Sequence, residues 1–306
     1  MQNRFTFYII LAVEILTVIL TSVGIFPREA VLILTGIMVF YFIFSPVEDS
    51  LILFIISIPL FIALPISENF DSMANWRILL AILFLRLFFE KGISIKIIKD
   101  KIKHLNPMEY FVGLFLIIAV FSLFVAPDRV AGIKKILFLV NIFLLYIIIR
   151  NIVCNNKEMA PKIIKAAAAA GIISLIIGYG QLVLIFFKPL YTFWQWWAYK
   201  VIPVFYGHEL GKLLSVSNTW FSYYPDSPPT LRMFSVFPDS HSFGLFMIIG
   251  LIFLVYLLRK KSFWLPIVLF LLALVFSGSR AVWLSAMVPF LIAASSSLYY
   301  VFFRLK

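Results

Sequence analysis

A chain of 306 residues with 63% hydrophobic and only 13% charged side chains is too poor in polar groups to cover a soluble globule, in which roughly a quarter of residues are charged. The composition is that of an integral membrane protein and excludes a separate soluble domain. The net charge of +12 does not point to nucleic acid as a partner, because the lysines fall in short segments between apolar runs, as the positive-inside rule requires.

Crossing about 30 Å of hydrocarbon takes roughly 20 mainly apolar residues. Such runs recur along this chain and predict an all-α, polytopic transmembrane helix bundle of about ten spans, forming one integral membrane domain over residues 1–306. The spans are expected at 5–26, 30–45, 50–66, 76–90, 107–126, 132–150, 163–187, 241–258, 263–277 and 282–303. The first lacks a small-residue cleavage site at its end, so it is expected to be retained rather than removed as a signal peptide. It holds Glu14, the only acidic residue placed well inside a span. A carboxyl that is neutral or paired within the bundle explains Glu14; a proton relay would need partners at the same depth, which the sequence does not supply.

In the seventh span, Ala166, Ala170, Ser174 and Gly178 recur every fourth residue. They predict a smooth stripe against which another helix packs closely. There is no evident internal repeat, which weighs against a transporter. The single cysteine, Cys154, excludes an intrachain disulfide.

A cytoplasmic N-terminus assigns to the inner side Arg4, Arg86, Lys91, Lys96, Lys99, Lys101, Lys103, Arg150, Lys157, Lys162, Lys165, Arg259, Lys260, Lys261, Arg304 and Lys306. The short outer connections then keep only Arg28, Arg77, Arg129, Lys134, Lys135 and Arg280. This bias predicts both termini in the cytoplasm. The one long connection, 188–240, then lies outside. Its first part, KPLYTFWQWWAYKVIPVFYGHELGKLL, is crowded with Trp and Tyr and predicts an interfacial helix lying on the outer leaflet. Its second part, SVSNTWFSYYPDSPPTLRMFSVFPDS, has the Pro, Ser and Asp content of an irregular ordered loop. Connections of this length are usually functional.

Polar groups gather at the same outer face. Arg77 opens the fourth span, Asp128 and Arg129 lie between the fifth and sixth, Arg280 joins the ninth and tenth, and Arg232, Asp239 and His241 end the long loop. Arginine keeps its charge and grips phosphate oxygens with a planar fork of donors. Several arginines at headgroup depth are suited to a lipid diphosphate, while for each alone snorkelling to the interface is the competing role. His241 is the best candidate base: its ordinary pKa is about 6.5, and a helix N-terminus favours the neutral imidazole. Asp239, two residues before it, either orients the imidazole or caps the free amides of the following helix. The GHELG stretch offers His208 and Glu209 as a further acid or base, with a wetted headgroup loop as the competing account. His104, among cytoplasmic lysines, is suited to anionic lipid. No cluster with metal-ligand spacing and no Gly-rich phosphate loop is present, so neither a metal nor a nucleotide cofactor is expected.

The stretches FVAPDRVAGIKKILFLVNIFLLYIII, FPDSHSFGLFMIIG and VFSGSRAVWLSAM, together with a long loop after the seventh span, resemble the O-antigen ligase and O-antigen polymerase superfamily of bacterial envelope enzymes. The likeness covers residues 107–303, and the SGSRA piece is its most specific part. The resemblance implies a transferase of the bacterial cytoplasmic (inner) membrane, active at its outer face. The donor would be a polyprenyl-diphosphate-linked glycan, and the acceptor a glycan or glycolipid hydroxyl. It implies His241 as activator of that hydroxyl and Arg232 and Arg280 as diphosphate contacts. Members commonly carry more spans than are found here, so a short or incomplete member is expected. The chemistry matches the residues: a glycosyl diphosphate contains its own leaving group and needs only charge stabilisation and one base. Two other classes stand beside this one, a flippase for a lipid-linked saccharide and a noncatalytic scaffold of an envelope assembly machine.

Overall fold

The computed structural model describes residues 2–66, 73–90, 107–216, 218–258 and 264–288. The architecture is all-α with two small two-stranded hairpins. In chain order come α1 (Gln2–Val23), α2 (Ala30–Phe44), α3 (Val47–Ile56), β1 (Ala63–Leu64), β2 (Met73–Ala74) and α4 (Trp76–Glu90). Then follow α5 (Pro107–Ser122), α6 (Arg129–Asn155) and α7 (Met159–Phe187). The long connection holds α8 (Leu190–Trp196), a π-helical turn (Trp197–Val201), α9 (Ile202–Tyr206), α10 (His208–Ser215), β3 (Phe221–Tyr224) and β4 (Ser227–Leu231). The chain continues with α11 (Ser240–Leu258), α12 (Leu265–Phe276) and a helix over 280–288, here α13.

Four helices are long and apolar enough to cross a bilayer: residues Phe5–Val23 of α1, and all of α6, α7 and α11. Shorter apolar helices are α2, Glu109–Ser122 of α5, and α12. Of the expected tenth span, 282–303, only the portion to residue 288 lies within the described residues. Lys91, Lys96, Lys99, Lys101, Lys103, His104, Arg259, Lys260, Lys261, Arg304 and Lys306 lie outside them.

The third expected span is not one helix. α3 stops at Ile56, a 3₁₀ turn covers Ile58–Leu60, and the chain is extended by Ala63. Pro59 is the local cause, since it has no amide to donate and disfavours a helical residue before it. At the break, the Ser57 hydroxyl donates to Glu14 Oε2 at 2.6 Å, and both residues are fully buried. Glu14 is therefore paired within the bundle, as expected.

α7 is the central helix, packed against α3, α11 and α12. Lipid tails are as apolar as leucine, so close approach and interhelical hydrogen bonds hold such helices together. Small residues of α7 give the close approach. A Cβ on Gly171 would stand 3.4 Å from the Gly250 Cα and 3.0 Å from the Phe270 ring, and Ala166, Ala170, Ser174 and Gly178 are all buried. Tyr179 adds a hydrogen bond from its hydroxyl to the Leu269 carbonyl at 2.8 Å.

The long connection departs from expectation in two ways. The helical stretch α8 to α9 does not lie free on a surface: Phe193, Trp197, Val201, Ile202 and Phe205 are buried, and the stretch packs against α1 and β1. The widened π-helical turn precedes Pro203, whose ring a regular helix would bring against a carbonyl one turn earlier. The second part is not simply irregular. It forms the β3–β4 hairpin, pairing Phe221 with Leu231 and Ser222 with Thr230. Pro228 and Pro229 argue against a strand in a sheet interior, and the pairing is irregular opposite them, between Ser222 and Tyr224. Asp226, at φ 58°, makes the turn, a left-handed position that Asp tolerates.

Candidate functional site

The segment Arg232–Asp239 passes into the bundle rather than over it. Met233, Phe234 and Ser235 are fully buried. Phe234 stacks on Trp220 at 4.8 Å with the rings 10° apart, and Trp197 meets it edge-on at 5.9 Å. A buried backbone needs every polar group matched, and the matches here are specific. Gln181 of α7 accepts from the Ser235 amide at 2.8 Å and donates to its carbonyl at 2.9 Å. The Ser235 hydroxyl donates to the Ser174 carbonyl at 2.8 Å. Ser235 is left-handed at φ 54°, a conformation that costs a non-glycine residue energy and persists where the surroundings fix it. The small stripe of α7 thus has a second task, for a Cβ on Gly178 would stand 2.8 Å from Met233 Sδ.

This anchored segment meets the turn between α12 and α13. The Met233 amide donates to the Phe276 carbonyl at 2.8 Å. In the SGSRA stretch each residue before the arginine has a local job. Ser277 donates to the Leu274 carbonyl at 2.7 Å, and Ser279 accepts from the Val282 amide at 3.3 Å as the cap of α13. Gly278 turns the chain at φ 63°. The Arg232 side chain lies across it, such that a Cβ on Gly278 would stand 3.1 Å from Arg232 Cγ and 3.3 Å from Nε. Only glycine suits both the dihedral and the contact. Arg232 Nε is held in turn by the Ser222 hydroxyl at 2.9 Å.

Arg280 begins α13 and is exposed. His241 is the second residue of α11 and is also exposed. The first turns of these two helices touch: a Cβ on Gly244 would stand 2.6 Å from Val282 Cγ1. Arg232 thus lies against the turn that leads into Arg280, and the helix that Arg280 begins touches the helix that carries His241. Among the described residues no carboxylate forms a salt bridge with either arginine. A cation in the first turn of a helix is disfavoured by the helix dipole, whereas an anion there is favoured.

Asp239 is a helix cap. Its Oδ1 accepts from the amides of His241 and Ser242 at 2.8 Å each, and its Oδ2 accepts from the Ser242 hydroxyl at 2.8 Å. The distance from His241 Nδ1 to Oδ1 is 3.6 Å, too long for a hydrogen bond. Behind it, the Tyr206 hydroxyl donates to the Val236 carbonyl at 3.0 Å. Burial pushes this phenol above its ordinary value, and the Asp239 charge adds to the shift.

Arg77 and Arg129 lie on a different pair of helices. Arg77 opens α4 with its guanidinium 5.6 Å from the Trp76 ring centroid, and Trp76 meets Phe138 of α6 edge-on at 6.1 Å. Arg129 is exposed at the start of α6, where Asp128 caps the helix by accepting from the Ala131 amide at 2.9 Å. No described contact joins these two arginines to Arg232, Arg280 or His241. In GHELG, Glu209 pairs with Lys212 at 2.8 Å, with both side chains 70% exposed, which agrees with a wetted surface loop. Among the described residues, no group of three or more His, Cys, Asp or Glu side chains is arranged to hold a metal ion.

Sequence reasoning missed Ser222, Gly278 and Tyr206. Gly278 had a signal, a glycine directly between two serines at the end of an apolar run. Ser222 and Tyr206 had none, since each acts on a residue brought close only by folding. No family model, curated protein or solved structure matches the chain.

Proposed function

We propose that the chain is a membrane transferase that moves or polymerises a glycan from a polyprenyl-diphosphate carrier onto an acceptor hydroxyl at the outer face of a bacterial cytoplasmic membrane. The observation that carries this is the Arg232 side chain fixed across Gly278, in the turn that leads into Arg280 and a helix packed on the one that bears His241. In this reading the chain crosses the membrane about ten times, α3 and its extended continuation counting as one crossing. Both termini are cytoplasmic, and the turn under Arg232 faces outward with the 188–240 connection over it.

The sequence resemblance to O-antigen ligases and polymerases supports the same chemistry. His241 accepts the proton of the acceptor hydroxyl, whose oxygen attacks the anomeric carbon of the donor sugar. The bond from that carbon to the diphosphate oxygen breaks, and the electron pair leaves with the diphosphate. Arg232 and Arg280 stabilise the departing charge, a role that fixed, pre-oriented donors fill without reorganising at the moment of reaction. Asp239 keeps a negative charge near the imidazolium that forms. Arg77 and Arg129 extend the positive field toward the headgroups, where it attracts the anionic donor.

Reconstitution with a lipid-linked oligosaccharide tests the proposal. Free polyprenyl diphosphate and transferred glycan are expected to appear together, and Arg280→Ala and His241→Ala are expected to lower both severely while the protein still inserts. Normal turnover by purified Arg280→Ala would remove the diphosphate role. One observation favours a second reading, translocation of the intact donor: α3 is interrupted beside a buried carboxyl, and interrupted helices line transport sites in many carriers. Movement of labelled donor across the bilayer with no transfer would establish that reading instead.

A further inference from the structure

We propose that the cleft between α8 and the β3–β4 hairpin is a saccharide subsite that seats a pyranose ring of the glycan. The assignment of a glycan as occupant rests on the function proposed above. The cleft has a volume of about 540 Å³ and is lined by Tyr191, Trp194, Ser215, Phe221, Tyr223 and Pro229, among others. That volume lies within the roughly 300–1,000 Å³ of small-molecule sites.

The wall of the cleft is built for a flat, partly polar guest. Tyr191 and Trp194 stack 5.6 Å apart with 28° between their rings, forming one continuous aromatic shelf. The shelf is held in place: Trp194 Nε1 donates to the Ser215 carbonyl at 3.1 Å, and Gln195 donates to the Tyr191 hydroxyl at 3.1 Å. Tyr191 and Tyr223 remain 66% and 63% exposed, so ring faces and phenolic groups are available together. The C–H face of a pyranose carries slight positive charge and sits well on the negative face of an aromatic ring, while its rim hydroxyls need hydrogen-bonding groups nearby. A lipid chain would use the ring faces but leave those hydroxyls and carbonyls unused.

The cleft also shares a strand with the Arg232 site, on the opposite face. Phe221 and Tyr223 line it, and Ser222 between them is the residue that holds Arg232 at 2.9 Å. A strand that carries the cleft wall on its aromatic residues and the arginine on its serine ties sugar seating to diphosphate position. A donor glycan bound at the shelf would extend away from a diphosphate held at Arg232.

The test uses the whole chain in phosphatidylcholine nanodiscs, with short lipid-free oligosaccharides released by mild acid from bacterial surface polysaccharides as the probe. Calorimetric titration is expected to find binding to the unaltered chain. Trp194→Ala and the largely exposed Tyr191→Ala are each expected to weaken it roughly three- to tenfold, while Trp194→Phe, which keeps a ring in the shelf, retains most of it. Absence of binding by the unaltered chain, or equal binding by both alanine variants with unchanged unfolding temperature, overturns the proposal. So does strong quenching of Trp194 fluorescence by brominated lipid, measured against Trp194→Phe, because the shelf would then anchor the chain in the bilayer. Binding without any glycan transfer in the reconstituted assay would keep the subsite and discard the transferase. Transfer with a KM untouched in both alanine variants would do the reverse.

Discussion

The arginines at the two ends of the bundle are used in opposite ways. At one end, Arg86 donates to the carbonyls of Phe42 and Ser45, where α2 finishes, and pairs with Glu90. Arg150 pairs with the buried Glu109, to which Tyr146 also donates. These cations sit at a helix C-terminus or beside a carboxylate, where elementary electrostatics favours them. At the other end, Arg129 and Arg280 begin helices, where the dipole opposes a cation, and Arg232 lies across the turn that joins α12 to α13. Local stability accounts for the first set. In the second set, Arg232 and Arg280 form no salt bridge with a carboxylate among the described residues, and Asp128 caps the helix that Arg129 begins.

That contrast can be broken by exchanging the two kinds of effect. Arg280→Ala is expected to lower transfer about 10²- to 10³-fold with little change in the unfolding temperature in detergent. Arg150→Ala is expected to do the opposite. It leaves the Glu109 carboxylate buried without its cation and costs about 1–3 kcal/mol, while each folded molecule still transfers at its former rate. If Arg150→Ala stopped transfer without destabilising the fold, the division between the two ends would be wrong.

Gly278→Ala sharpens the same comparison on a smaller scale. It strains a left-handed position, at a cost of about 1–3 kcal/mol, and pushes Arg232 off its seat, so both stability and transfer are expected to fall. Adding Arg232→Ala to Gly278→Ala should restore part of the stability, because the clash goes with the side chain, and none of the transfer. Double-mutant unfolding curves and donor turnover measure the two halves separately. Ser222→Ala is milder. Freeing Arg232 Nε is expected to cost about 1 kcal/mol of stability and to raise the donor KM more than it lowers kcat.

The smallest expected effect concerns Tyr206. Its folded phenol is raised above the ordinary value of about 10, so the folded state favours the neutral form. The stability linked to Tyr206 is fully present below that value. It is lost as pH rises toward the folded value, because the unfolded chain ionises first. Unfolding temperatures followed from neutral pH into the alkaline range should fall more steeply for the unaltered chain than for Tyr206→Phe. Parallel curves would mean that the buried phenol is not coupled to folding.

Much of the bundle was legible in the chain itself, because hydropathy and helix punctuation are local. α2, α4 and α11 begin and end close to where their apolar runs do, and the four-residue stripe of α7 announced a close packing face. α3 was read too long because its apolar run continues past Pro59 into extended chain. Hydropathy registers burial and is blind to the missing amide that ends the helix. The hairpin was missed for the converse reason: two prolines hid a short strand whose pairing is irregular opposite them.

The sequence by itself determined that this chain is a bundle of apolar helices and that arginines and a histidine stand at helix starts, since both follow from residue type and near neighbours. Only the tertiary structure decided what each of those cations packs against. Arg232 reaches Gly278 because Gln181 and Ser174, far away in the chain, fix the backbone at Ser235. Arg77 and Arg129 are left on another helix pair because Trp76 packs on Phe138. Such choices depend on long-range contacts that close only when the helices have docked, and no short stretch of sequence contains them.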